Sequence, residues 1–413
     1  MITRRLCNPI SDAMASDLIL VIVGARQTGK TTILRQLYKD CQLQAKTAHF
    51  INLERLEYVA LLNHSPENIF SILPPPPEGE RATVFIDEIQ YLDNPSNFLK
   101  LLFDEYRNRL KLVVTGSSAF YIDEKFKDSL AGRKRLFHLP TLSFSEFLVF
   151  KQRDDLANLL PTRLSPDNFN TMSLLPLMQR DELVRLFSEF SRFGGYPAVV
   201  LTPDEGEKLL ILEDLINSSV KKDILESRIR HPEPYFMMIK MLAAQVGSLM
   251  NRNELSKSIG VSVQAIDNYL YVLQKSFHAV LIKPFHTNVR KELTKMPKLY
   301  FADMGMRNYL VGDFRDFRIR SDRGAFLENL CFRQLSSHVV SDDICFWRTQ
   351  DKAELDFVVM GQYGFEVKSN PETFSPSAYS GFRERHPSIP VDVISFDSFA
   401  EKPTHRVWGA FGI

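Results

Sequence analysis

Cysteine is scarce in this sequence, and the four present, Cys7, Cys41, Cys331 and Cys345, form no CxxC pair. That scatter excludes a zinc ribbon and a disulfide framework, and a reducing cytoplasmic setting is the expectation. Long apolar runs are missing too. LILVIVGA, near the start, falls far short of the ~20 residues a membrane helix needs and makes no signal sequence. Net charge is almost absent at +1, which excludes a polybasic coating but leaves room for a local basic patch. What is present is ordinary for a globular chain, 44% hydrophobic and 24% charged. At 413 residues it is too long for one core, so two or three domains are expected.

The segment DLILVIVGARQTGKTTILRQLY reads as a buried strand from Leu18 to Val23, a loop, and a helix opening near Lys30. Gly24, Ala25, Arg26, Gln27, Thr28, Gly29, Lys30 and Thr31 fit GxxxxGK[ST], with Thr32 following. In that pattern loop N–H groups wrap phosphates, the lysine reaches the β and γ phosphates, and the hydroxyl of Thr31 ligates Mg2+. A second apolar strand, TVFIDEIQYL, ends in Asp87 and Glu88 and brings both acids to the carboxyl edge of a parallel sheet, where ligands bind. Asp87 is the candidate for holding Mg2+ and Glu88 for polarising the attacking water. A third strand, LKLVVTGSSAF, ends in hydroxyls, of which Ser117 or Thr115 is placed to sense the γ phosphate. Arg133 and Arg135 follow closely in sequence and are candidate arginine fingers, for their own nucleotide or for that of a neighbouring subunit in a homo-oligomer or ring.

The spacing from 181 to 230 is helical, broken at GGYPAV, and suggests a helical lid. From Tyr235 to Tyr300 three helices and a hairpin are expected, a winged helix with Gly260 in the turn and Ser262 as cap. Ala265, Leu270 and Leu273 would pack inward, leaving Gln264, Asn268 and Lys275 to face a major groove, while Asp267 opposes such contact. Lys283, Arg290, Lys291, Lys295 and Lys298 would line the wing, within a stretch from Lys283 to Arg323 holding ten basic residues against five acidic ones. DNA phosphates are the expected partner of that face, although such modules also brace lids or bind proteins.

Beyond Gly324 a new unit opens with the helix AFLENLCFRQLSSH, followed by the strands ICFWRT, ELDFVVM, YGFEVKS and VDVISF. Glu328, Asp356, Glu366 and Lys368 in this order resemble the PD-(D/E)xK nuclease pattern. Glu328, Asp356 and Glu366 would then chelate Mg2+, with Glu366 and Lys368 acting on the attacking water. Glu354, two residues before Asp356 on the same strand face, and Gln350 are supporting candidates. The other reading of the acids is an ion-paired cluster that braces the fold.

GARQTGKTT, FIDEIQYL, VVTGSSA, LAGRKR and FGGYPAVV together resemble prokaryotic AAA-type ATPases that carry a carboxyl-terminal nuclease-like domain. The resemblance implies ATP binding and hydrolysis by Lys30, Thr31, Asp87 and Glu88. It also implies an α/β fold in four parts: a parallel-sheet P-loop core over 1–150, a helical lid over 151–233, a winged helix over 234–322 and a restriction-endonuclease-like domain over 323–413. The polar, leucine- and proline-rich stretch from Lys151 to Arg180 departs from the family pattern. The two functions to be weighed are an ATPase that binds and remodels or cuts DNA, and a nucleotide-dependent switch that cuts nothing.

Overall fold

The computed structural model describes residues 2, 4–74, 76, 79–116, 130–285, 296–349, 351 and 353–413. The chain divides into two compact units, Met1–Pro140 with Lys275–Phe277, and Thr141–Gln274 with His278–Ile413. The first break thus falls at Pro140, ahead of the boundary expected at 150.

The first unit is built on five parallel strands: β1 (Ile19–Val23), β2 (Ala48–Asn52), β3 (Ala82–Asp87), β4 (Leu110–Gly116) and β5 (Lys134–His138). Their order is β2-β3-β4-β1-β5. Every residue of β1, β3 and β4 is buried, as parallel strands covered on both faces must be. Alternation sends Val21, Val84, Ile86 and Val114 to one core and Leu20, Ile22, Phe85 and Val113 to the other. Because β4 lies between β1 and β3, the end of β4 separates the phosphate-loop strand from the acid-bearing strand.

In the second unit, helices Leu177–Phe193, Pro197–Leu201 and Glu205–Glu226 come first. Gly194 (φ 76°) and Gly195 have no room for side chains: a Cβ would stand 2.1 Å from Asp303 Oδ1 at the first and 2.3 Å from the Leu142 carbonyl at the second. Buried Asp303 accepts from the N–H groups of Gly195 and Met306, so the GGYP motif serves close packing. Helices Pro232–Ala244, Arg252–Ile259 and Val263–Lys275 follow, then the antiparallel pair β6 (Ala279–Ile282) and β7 (Lys298–Phe301). Gly260 ends one helix in the left-handed region, and the Ser262 hydroxyl accepts from Ala265 N–H.

Six more strands form a mixed sheet: β8 (Ile344–Arg348), β9 (Glu354–Val359), β10 (Tyr363–Val367), β11 (Val391–Ser395), β12 (Ala400–Lys402) and β13 (His405–Gly409), in the order β12-β13-β11-β10-β9-β8. Helix Arg323–Leu335 packs on it. The stretch from Lys151 to Arg180 belongs to this unit's core: Phe169 meets Trp408 edge-on at 5.2 Å, and Met172 is buried.

Candidate functional site

The phosphate loop joins β1 to helix Lys30–Leu43. A Cβ on Gly24 would fall 2.1 Å from the Leu139 carbonyl oxygen, so only glycine fits where the loop leaves β1. Gln27 (φ 58°) and Gly29 (φ 99°) both lie in the left-handed region and turn the loop back toward the helix. The Thr28 hydroxyl donates to the Ala25 carbonyl. Buried Arg4 fastens the same loop, donating to the carbonyls of Thr28 at 2.7 Å and Pro140 at 2.8 Å. No pattern in the sequence singles out Arg4, whose contact with Pro140 spans most of the unit. Ala25 is buried, Arg26 and Thr31 are half-buried, and Thr32 is exposed.

Lys30 is buried, and its ammonium donates to the carbonyls of Gly24 (3.0 Å) and Ala25 (2.8 Å). Burial lowers its pKa to about 8, against the opposing pull of Glu88. Asp87 ends β3 and is buried, which pushes its carboxyl pKa up, while hydrogen bonds from Thr115 and Thr31 oppose that rise. Thr115, fully buried near the end of β4, joins the two acids: its hydroxyl donates to Asp87 Oδ1 at 2.5 Å and accepts from the Glu88 N–H at 3.0 Å. Glu88 has φ 59°, a left-handed conformation costly for a residue with a Cβ, and its side chain accepts from Gln90. The Thr31 hydroxyl and the Asp87 carboxylate are an adjacent all-oxygen donor pair, the type that fits Mg2+.

Two arginine placements differ from a finger acting on its own chain. β5 runs parallel to β1, with Ile19 opposite Lys134 and Val23 opposite His138. Arg133, just before β5, therefore lies at the amino edge, roughly 20 Å of strand away from the phosphate loop at ~3.3 Å per residue. There it forms an ion pair with Asp104 at 2.7 Å. Arg135 is exposed on the edge strand, its guanidinium over the Phe137 ring. Ser117 lies outside the described residues.

The second unit gathers Glu328, Glu354, Asp356, Glu366 and Lys368, but around a cation of its own. Lys298, expected on an exposed wing, is instead only 2% exposed. Its ammonium lies 3.0 Å from Glu328, 2.5 Å from Glu354 and 3.7 Å from Asp356. Strand alternation carries Tyr300 to the same face, where its hydroxyl donates to Glu328 at 2.5 Å. Arg348 takes the other oxygen of Glu354 at 2.5 Å. Asp356 accepts from the Val367 N–H, and Lys368 donates to Glu366 at 2.6 Å. Burial, then the neighbouring Asp356, raises the carboxyl pKa of Glu328 to about 8 and that of Glu366 to about 7. Burial also raises Asp356.

The expected Mg2+ set of Glu328, Asp356 and Glu366 is brought together, with the Lys298 ammonium against two of its members and Lys368 against the third. Among the described residues no group of three or more His, Cys, Asp or Glu is arranged to hold a metal ion. The divalent ions implied by the nuclease pattern do not fit the arrangement present. Gln350 lies outside the described residues.

Within the expected basic face, several arginines are paired with acids. Arg307 pairs with Asp322, Arg315 with Asp313, Arg318 with Asp397, and Arg320 with both Asp313 and Asp322. Lys283 and Arg323 are exposed, whereas Arg290, Lys291 and Lys295 lie outside the described residues. On helix Val263–Lys275 the residues Gln264, Asn268 and Tyr271 are exposed, Lys275 is half-buried, and Asp267 pairs with Arg252 at 3.2 Å.

Comparison with known proteins matches the chain in three separate stretches. The family model of an AAA domain matches residues 16–148, which bracket β1 through β5. Models of two domains of unknown function, DUF8612 and DUF4143, match residues 184–316 and 323–397. An uncharacterized protein of Methanocaldococcus jannaschii is 29% identical over 363 residues, covering 83% of this chain and 72% of its own. One of Haemophilus influenzae is 26% identical over 372 residues, covering 86% and 84%. Among solved structures, the ORC1 protein of Aeropyrum pernix in complex with DNA is similar at a TM-score of 0.31 and 13% identity, covering 74% of this chain and 91% of that one. The replication initiator DnaA bound to AMPPCP and single-stranded DNA is similar at a TM-score of 0.31 and 14% identity, covering 67% and 91%. Among the described residues no helix is long and apolar enough to cross a membrane.

Proposed function

We propose that the chain is a Mg2+-dependent ATP hydrolase of AAA type that works as a nucleotide-driven switch on DNA. The observation that carries this reading is the Thr115 hydroxyl, which holds Asp87 and the Glu88 backbone together at the sheet edge that also bears Lys30. Lys30 rests on neutral carbonyls, weak partners that phosphate oxygens would outcompete. Thr31 and Asp87 would hold the Mg2+, whose chemistry is to neutralise charge on the transferring phosphoryl group. Glu88 would orient and deprotonate the attacking water.

DNA would meet the exposed face of helix Val263–Lys275, where Gln264 and Asn268 offer amide groups suited to base edges and backbone. The acid cluster of the second unit, already paired with Lys298, supports a binding or bracing role over strand cleavage. Arg133, remote from its own phosphate loop, suits a finger presented to a neighbouring subunit in a homo-oligomer.

The test is ATP turnover by the full chain with Mg2+, with and without duplex DNA. Lys30→Ala is expected to abolish turnover, and unchanged turnover would overturn the ATPase reading. Asn268→Glu is expected to keep basal turnover and lose stimulation by DNA. An equal mixture of Lys30→Ala and Arg133→Ala chains is expected to recover activity that neither has alone.

A further inference from the structure

The lysine inside the second unit's acid cluster is unusual in its origin. Lys368 comes from the cluster's own sheet and stays about one-third exposed beside Glu366. Lys298 comes from β7, in a separate two-stranded sheet, and is 2% exposed.

Its position is fixed from several sides. Residue 298 faces Ile282 across the ribbon and bridges Leu249, and the next residue's carbonyl accepts from Gly247 N–H. Gly247 (φ 80°) is pressed so closely on Glu328 that a Cβ there would come within 2.7 Å of its carboxylate. Beside Glu328, fully buried Asn329 accepts from the Phe301 N–H and donates to the Phe301 carbonyl, clamping β7 along helix Arg323–Leu335. The strand can neither slide nor rotate without breaking that two-way contact. The ammonium is therefore delivered to Glu328, Glu354 and Asp356 by the fold, not by a freely swinging surface chain.

We propose that Lys298 is a tethered cation that fills the place a divalent metal would take between Glu328, Glu354 and Asp356, making the pocket an ionic lock between β7 and β9. Three cationic side chains, Lys298, Arg348 and Lys368, stand against four carboxylates, and each carboxylate has a partner among the protein's own groups. Adding a dication while Lys298 stays would bring positive charges within ~4 Å of each other in a poorly solvated pocket, which is strongly repulsive. Removing Lys298 leaves buried acids without their main counter-charge, and hard oxygen donors in that state take up a divalent ion. The proposal does not depend on the ATPase reading.

The experiment counts Mn2+ bound to the nucleotide-free full chain by calorimetry and electron paramagnetic resonance, in an Asp87→Asn background so that the phosphate-loop site does not contribute. With Lys298 present, no Mn2+ is expected in the cluster at millimolar concentration, and Lys298→Arg is expected to behave alike. Lys298→Met is expected to gain about one Mn2+ per chain, and to lose it again when Asp356→Asn is added. Mn2+ bound by the chain that keeps Lys298 and lost on Asp356→Asn would overturn the proposal, as would a folded Lys298→Met chain that gains none. Should Lys298→Met fail to fold, the comparison of the Lys298 chain with and without Asp356→Asn still decides.

Discussion

Both units bring a buried lysine to a set of acids, yet the two lysines are held oppositely. Lys30 donates to backbone carbonyls of its own loop, and Lys298 to carboxylates. A cation resting on neutral dipoles has most of its charge still to use, and a polyanion arriving from solvent can claim it. A cation surrounded by carboxylates is already spoken for. The direction of each pKa agrees: Lys30 falls to about 8 because burial outweighs its neighbours, whereas Lys298 is raised because Glu328, Asp356 and Glu354 overcome its burial. Similar residue types thus make a site poised for an outside ligand in one unit and a closed contact in the other.

That contrast breaks most sharply at Glu88. Replacing Glu88 by Gln is expected to cut ATP turnover by ~10^2 to 10^4-fold while nucleotide binding persists, as loss of a general base does. Turnover and equilibrium ATP affinity measured on the same preparation check this. A fall in affinity as large as that in turnover would place Glu88 in binding instead.

Thr115→Val comes next. It strips Asp87 of its buried donor and the Glu88 N–H of its acceptor, at a cost of about 1–3 kcal/mol for groups left unpaired. Urea denaturation should show the loss and turnover should fall with it, while Thr115→Ser restores both.

The closed site has a pH signature instead. Glu328 holds its proton up to about pH 8 in the folded chain, whereas its ordinary value is 4.5. Across that window the unfolded chain has released the proton and the folded chain has not. This group's contribution to stability therefore declines as pH rises from about 4.5 to about 8, then levels off. Denaturation midpoints of Glu328→Gln should be flatter with pH than those of the unaltered chain, the gap closing below the window.

The smallest expected effect is in the open site. With its pKa lowered to about 8 by burial, Lys30 is partly neutral just above that pH, and phosphate oxygens would drive it back to the charged form. ATP binding should then take up a fraction of a proton, seen by calorimetry in buffers of different ionisation enthalpy. Lys30→Arg, always charged, should show none.

Much of the first unit is legible in the sequence because its signals are local. A strand, six loop residues and a helix are consecutive. In the second unit, the period of two that places Glu354 and Asp356 on one face survives folding unchanged. What is not legible depends on distant partners or strand direction. Arg133 follows β4 closely in sequence, but a residue entering a parallel strand lies at the edge opposite the ligands. Counting ten basic residues against five acidic ones between Lys283 and Arg323 hides the fact that Asp313 and Asp322 are placed to neutralise Arg307, Arg315 and Arg320. Lys298 sits in a stretch that reads as a wing, and only the antiparallel pairing of β6 and β7 turns its side chain inward.

Arg4 adds a mechanical aspect to the phosphate loop. One guanidinium grips Thr28 inside the loop and Pro140 at the last residue of the first unit, and Gly24 leaves no slack against Leu139. One side chain therefore ties the phosphate loop to the residue at which the chain leaves the first unit.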